Sequence, residues 1–232
     1  MNIKIPFPFR IILNVTNGCN SDCLYCLNKE YLSEDLRFDE WENFINILNA
    51  KKIASVILSG GEPLLYPHIY DIIDLLHKHN IRVNIISNGI LVNKIPHEVM
   101  KKITALQISF DGKKYNKKYR KISPEIPLEA MKNIFATKVK VYSMTVVTKD
   151  NLDDMEEIPL EVRYRTNLCY FERVSIVGNV RHHIDMQLKQ EDERKFIDSI
   201  LHLQKNTEKL YYAMTQYIAV PILRKAIYLA VI

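Results

Sequence analysis

Residues 11–26 read Ile-Ile-Leu-Asn-Val-Thr-Asn-Gly-Cys-Asn-Ser-Asp-Cys-Leu-Tyr-Cys: a short apolar, β-branched run, then a polar loop with three cysteines in eight residues. Behind the loop, from Asp39 to Asn49, Trp41, Phe44, Ile45 and Leu48 fall at helical spacing. Strand, loop and helix make one β/α unit, and the unit recurs along the chain. Further strands are read at Ser55–Leu58, Val83–Ile86, Ala105–Phe110, Val139–Val147 and Cys169–Val177. Helical stretches stand between or after them at about His68–His79, Leu128–Phe135 and Gln190–Gln204. Six strands alternating with helices predict an α/β fold around a parallel sheet, a partial TIM-type (β/α)6 barrel.

The glycines sharpen that reading. There are six in 232 residues, where the usual share of ~7% would give more than twice as many. Gly18, Gly60, Gly61, Gly89 and Gly112 follow the ends of the first four strands, and Gly178 follows the sixth. In a parallel β/α sheet the carboxyl ends of the strands form the ligand-binding rim. Glycine there permits positive φ or a close approach to the backbone.

The chain shows neither an internal repeat nor a Gly/Ser linker. Residues 1–205 therefore read as one core domain. Residues 206–232 form a tail that is strongly apolar from Tyr211 on, with Tyr217, Val220, Leu223, Ile227 and Val231 near helical spacing. It is expected as a helical tail packed under the open barrel, or as the remnant of a longer enzyme.

At 47% hydrophobic and 25% charged, the composition excludes disordered, collagen-like and small disulfide-stapled classes. A net charge of +5 suits an anionic substrate or cofactor. Four cysteines in a chain of this length are not a disulfide framework, so reduced thiols and a cytoplasmic location are expected. Residues 1–10 carry no secretory or organelle signal, and no apolar run reaches the ~20 residues of a bilayer span.

Cys19, Cys23 and Cys26 form C-x3-C-x2-C, a compact set of soft ligands. Three thiolates are one short of a closed zinc site or a fully ligated four-iron cluster. Two readings stay open on the residues alone: a cubane with one open iron, or a zinc knuckle completed by Cys169 or a histidine. The second strand ends in Gly60-Gly61-Glu62-Pro63, the third in Ser87-Asn88-Gly89 and the fourth in Ser109-Phe110-Asp111-Gly112. Lys113–Lys121 has six basic residues in nine, interleaved with Tyr115 and Tyr119. It is either a solvated surface segment or a dock for an acidic peptide or RNA, so nucleic acid stays open as a partner.

Taken together and in this order, the motifs resemble the radical S-adenosylmethionine superfamily over about residues 10–205. They are most similar to its SPASM-associated branch, which modifies peptides and proteins. The resemblance implies that Cys19, Cys23 and Cys26 bind a [4Fe–4S] cluster. It implies that Tyr25, Gly60, Gly61, Glu62, Pro63, Ser87, Asn88, Ser109, Asp111 and Arg120 bind S-adenosylmethionine. Within that set, Glu62 would meet the methionine ammonium and Arg120 the carboxylate. Where the branch carries His-Asp this chain has Asn116-Lys117, and Ile176 replaces the proline of its R-x-x-P-x-G segment. No cysteine follows Cys169, so the extra clusters of that branch lack ligands in these residues.

The implied function is reductive cleavage of S-adenosylmethionine to a 5′-deoxyadenosyl radical that takes hydrogen from a peptide or protein. The implied electron donor is a flavodoxin or ferredoxin. The alternatives are the same chemistry on a small metabolite, cofactor precursor or nucleoside, and a catalytically idle cluster-binding module. The residues that would do the catalysis cannot be named from the sequence.

Overall fold

The computed structural model describes residues 9–29, 34–175 and 178–206, together with the backbone of three short strands beyond them. Six parallel strands lie side by side in sequence order: β1 (Arg10–Thr16), β2 (Ser55–Gly60), β3 (Arg82–Ser87), β4 (Ile103–Ser109), β5 (Lys140–Val147) and β6 (Leu168–Arg173). Between or after them come α1 (Phe38–Ala50), α2 (Ile69–Lys78), α3 (His97–Met100), α4 (Lys113–Arg120), α5 (Glu125–Phe135), α6 (Ile158–Val162) and α7 (Gln190–Asn206). All six strands and the four longer helices stand within a few residues of their predicted places. The sheet does not close, since β1 and β6 are not neighbours.

One face of the sheet carries the core. Leu13, Leu58, Val83, Leu106 and Phe171 are fully buried in one cluster with Trp41 and Ile45 of α1, Ile72, Ile73 and Leu76 of α2, and Met131 and Ile134 of α5. Alternation along each strand then turns Ser59, Ile86, Ser109, Met144 and Glu172 to the opposite, concave side, where they line a cavity. A smaller cluster of Tyr25, Tyr115, Tyr119, Val174, Val180 and Met186 packs at the rim. It joins the cysteine loop to α4 and to the segment after β6.

The tail corrects the sequence reading. From Tyr211 on its described residues are strands: β7 (Tyr211–Met214), β8 (Ala219–Pro221) and β9 (Ile227–Ala230). β7 pairs parallel to β6, β9 antiparallel to β1, and β8 antiparallel to β9. Tyr217, Leu223 and Val231, part of the expected helical stripe, lie outside the described residues. Two causes favour strands. Tyr, Val and Ile suit a pleated ladder, and Pro221 removes a helical donor. The edges of β1 and β6 would otherwise present unpaired backbone groups.

Candidate functional site

The cysteine loop leaves β1 and is fastened at each end. Beyond the paired strands, the Gly61 N–H donates to Thr16 O at 2.8 Å and the Glu62 N–H to Gly18 O at 2.8 Å, so the β1 and β2 loops continue the parallel ladder. A Cβ on Gly61 would stand 2.7 Å from the Gly18 carbonyl carbon and closer still to its oxygen. Gly60, at φ +127°, faces Thr16 in the same way. These two glycines seat the cysteine loop against β2, a demand that exists before any ligand arrives. Asn28 ties the far side of the loop to Gly60 O and accepts from Asn14 Nδ2 at 3.4 Å.

The middle of the loop is held from two other elements. Leu24 N–H donates to Tyr119 O at 2.9 Å, and Ser21 Oγ donates to Arg120 O at 2.5 Å. From beyond β6, Asn179 donates its backbone N–H to Cys26 O at 3.0 Å and its Nδ2 to Leu24 O at 2.9 Å. Cys19, Cys23 and Cys26 are free thiols, Cys19 exposed and the others half-buried. All three line one open cavity of about 200 Å³. Burial pushes the half-buried Cys26 thiol up.

Three soft donors outside any disulfide on one braced loop, opening onto a cavity with Ser59, Ser87, Asn88 and Ser109 on its walls, fit a [4Fe–4S] cluster with one open iron. The zinc alternative loses its completing ligand. Neither Cys169 nor any histidine lines the cavity, and Cys169 is buried in the core. Among the described residues no three His, Cys, Asp or Glu side chains form a site for a single metal ion.

Of the residues expected to touch the cofactors, Cys19, Cys23, Cys26, Tyr25, Gly60, Gly61, Ser87, Asn88, Ser109 and Arg120 line the cavity. Glu62, Pro63 and Asp111 do not line it. Glu62 is fully buried, and its carboxylate accepts from Ser87 Oγ at 2.9 Å, Asn88 N at 2.8 Å and Leu64 N at 3.3 Å. Burial pushes its carboxyl up while those bonds work against it. The side chain is thus a brace between β2 and β3, with two bonds on Oε1 and one on Oε2. Pro63 opens a single 3-10 turn behind it.

Asp111, fully buried, takes both arms of Arg120, Nε at 2.9 Å and Nη2 at 3.1 Å. It also accepts from Val146 N at 3.0 Å and from the Tyr25 hydroxyl. Burial works against the Arg120 charge, but Asp111 outweighs it and holds the guanidinium more firmly protonated than usual. Arg120 therefore reaches the cavity already paired with Asp111. Asn116, standing where the branch has His, is fully buried and bridges Asp111 N at 3.3 Å and Ile122 O at 3.0 Å.

The basic segment proves to be α4, and internal partners take much of its charge. Lys114 pairs with Asp154 at 2.7 Å and Lys118 with Asp150 at 2.5 Å. The Tyr115 and Tyr119 rings stack on each other at 5.8 Å and are buried. They offer no free face to a nucleobase, so the structure removes the sequence argument for a nucleic-acid dock.

Two useful residues, Asn28 and Asn179, escaped the sequence reading, and a third, Glu172, is legible there only as one of an adjacent pair expected to face opposite ways. The first two act through loop carbonyls, which leave no pattern in a sequence. Glu172 carried a signal in the Glu172-Arg173 pair, where alternation allows only one to face inward. Both line the cavity because Arg173 is the last residue of β6, and it turns to Glu193 of α7 at 2.5 Å.

Residues 13–159 match the family model described as the Radical SAM superfamily. Mycofactocin maturase MftC of Mycolicibacterium smegmatis is 27% identical over 175 residues, 69% of this chain and 43% of that protein. Fe-coproporphyrin III synthase of Methanosarcina barkeri is 24% identical over 211 residues, 87% of this chain and 52% of that one. The chain spans about half the length of these curated relatives. Among solved structures, Streptococcus suis SuiB bound to S-adenosylmethionine superposes with a TM-score of 0.76 over 92% of this chain and 52% of SuiB. At 18% identity that likeness concerns the fold.

Proposed function

The chain belongs to the Radical SAM superfamily, enzymes that bind a [4Fe–4S] cluster and S-adenosylmethionine, and on that premise we propose that its rim cavity serves hydrogen abstraction from a peptide or protein. The observation that carries the reading is the meeting of three free thiols and the Gly60-Gly61 turn in one cavity at the carboxyl ends of a parallel sheet. Cys19, Cys23 and Cys26 would hold the cluster. When bound, the cluster and S-adenosylmethionine supply a one-electron cleavage of the sulfonium to methionine and a 5′-deoxyadenosyl radical.

The protein's own contribution is placement and exclusion. Ser59, Ser87, Asn88 and Ser109 give the cavity polar walls for a ligand's hydroxyls and charged ends, and Tyr25 adds an aromatic face. Met144, Val146 and Val174 form an apolar wall that limits water beside a reactive carbon centre. The electron would come from a flavodoxin or ferredoxin. Among the described residues no helix is long and apolar enough to cross a membrane.

Similarity to a mycofactocin maturase supports a peptide substrate. A second reading, a small cofactor precursor, draws on the alignment with Fe-coproporphyrin III synthase, which reaches 87% of the chain. The pairing of Lys114 and Lys118 also favours it, because a dock for an acidic peptide loses those charges.

Anaerobically reconstituted, dithionite-reduced protein should convert S-adenosylmethionine to 5′-deoxyadenosine, and Cys23→Ala should abolish both the iron and the product. Absence of product from protein with a full, reducible cluster and bound S-adenosylmethionine would refute the enzymatic reading.

A further inference from the structure

Glu172 stands one residue from the carboxyl end of β6, in register with Val146 of β5, and its side chain lines the cavity that holds the three cysteines. Neither of the other two pairings at this rim includes it. Arg120 is bound on two arms by Asp111, and Arg173 pairs with Glu193. Among the described residues nothing hydrogen-bonds or ion-pairs with the Glu172 carboxyl, and burial alone pushes it up to about 7. Glu172 is half-buried on the wall of an open cavity, so its carboxyl, partly desolvated and without a partner among the described residues, stays accessible to a ligand. Its neighbours along the cavity wall are the apolar Met144, Val146 and Val174 and the Arg173 side chain, whose charge Glu193 takes.

A carboxyl at the end of an apolar wall is complementary to one kind of group. Hydroxyls and amides can share the serines and Asn88, whereas an anion would be repelled. A cation on an aliphatic stem meets both features: the stem covers the apolar wall and the charge ends the isolation of the carboxyl. We propose that Glu172 is the specificity-determining residue of a substrate subsite for a cationic nitrogen, a primary ammonium or guanidinium carried on an aliphatic stem. The proposal rests on the reading that the cavity admits a second molecule beside the cofactor. S-adenosylmethionine itself bears an ammonium and hydroxyls, so the test must separate the two sources.

The probe is butylammonium, with 1-butanol and butyrate as controls, titrated into reconstituted protein that holds S-adenosylmethionine. Binding is read by calorimetry or ligand-observed NMR. Butylammonium should bind wild type at least tenfold more tightly than Glu172→Gln, and Glu172→Asp should recover part of the loss. Butanol should not distinguish the proteins. S-adenosylmethionine affinity, measured alone, should stay within about twofold in Glu172→Gln.

Equal butylammonium binding by wild type and Glu172→Gln, or no binding by wild type, overturns the proposal. A tenfold loss of S-adenosylmethionine affinity in Glu172→Gln also overturns it, by assigning the carboxyl to the cofactor. Should Glu172→Gln not fold, the comparison of wild type with Glu172→Asp decides by the same criteria. Glu172-dependent binding of butylammonium by protein that makes no 5′-deoxyadenosine would retain the subsite and refute the reaction.

Discussion

Removing one member of the Asp111–Arg120 pair should destabilise the protein by several kcal/mol and loosen the cysteine loop with it. The side chains are 0% and 7% exposed, so neither charge has water as a substitute partner. Breaking a buried pair from one side costs about 3–5 kcal/mol, against at most about 1 kcal/mol for an exposed pair. In Arg120→Met the carboxylate keeps the Val146 N–H at 3.0 Å and the Tyr25 hydroxyl, which places that variant near the lower end, about 3 kcal/mol. For a chain of this size that corresponds to a fall in Tm of roughly 6–12 °C. In Asp111→Asn the stranded group is a guanidinium, which needs more compensation, and about 4 kcal/mol is expected.

The double variant Asp111→Asn/Arg120→Met should be more stable than the sum of the two losses predicts, with a coupling of at least about 2 kcal/mol. Thermal and urea unfolding of the apo and cluster-loaded forms measure these values. Tyr25, between Cys23 and Cys26, has its hydroxyl on Asp111 and its ring 5.3 Å from the Arg120 guanidinium, so iron retention should fall alongside Tm. A loss below about 1 kcal/mol in Arg120→Met, or strict additivity in the double variant, would refute the reasoning.

Three further outcomes are expected. Gly61→Ala, whose new Cβ meets the Gly18 carbonyl, should lower both Tm and iron content; full iron with only weaker S-adenosylmethionine binding would show that the turn serves the ligand alone. Asn179→Ala loses the bond to Leu24 O but keeps the backbone bond to Cys26, so a chelator should strip iron severalfold faster at a stability cost of about 1 kcal/mol; an unchanged stripping rate would contradict this. Glu172 holds its proton up to about pH 7 in the folded chain, against an ordinary 4.5, so it makes stability fall as pH rises between those values and leaves it level above them. Glu172→Gln should remove that fall, worth at most roughly 3 kcal/mol, and raise Tm at pH 8 but not at pH 4; equal Tm shifts at both would show that the carboxyl is not the cause.

The strands and the cysteine loop were legible because their signals are local. Val, Ile and Leu runs, helical stripes such as Trp41, Ile45 and Leu48, and glycines at strand ends each declare themselves within a dozen residues. The tail was misread because its structure is decided elsewhere. An apolar segment with Tyr and Val near helical spacing becomes strand when two sheet edges need partners, and those edges are set by β1 and β6. The pairing of Arg120 with Asp111 was hidden for a related reason. Each has the chemistry to bind a ligand, and only the turn of α4 back over the rim shows that they bind each other.

The same fact separates two kinds of residue in this site. Glu62, Asp111 and Asn116 hold neighbouring groups and do not line the cavity, so substituting them reaches the ligand by deforming its surroundings, whereas Gly60, Gly61 and Arg120 brace and line it at once. A motif of this kind identifies the chemistry and is nearly silent about the substrate, since any member that accepted a substrate group would release a brace. Substrate choice has to come from cavity residues whose side chains form no hydrogen bond or ion pair within the site. On the β5 and β6 wall those are Met144, Val146, Val174 and Glu172, and only Glu172 carries a charge. Changes there should alter which molecule is bound while the iron, the fold and the affinity for S-adenosylmethionine stay in place. Changes in the motif should lose all three together.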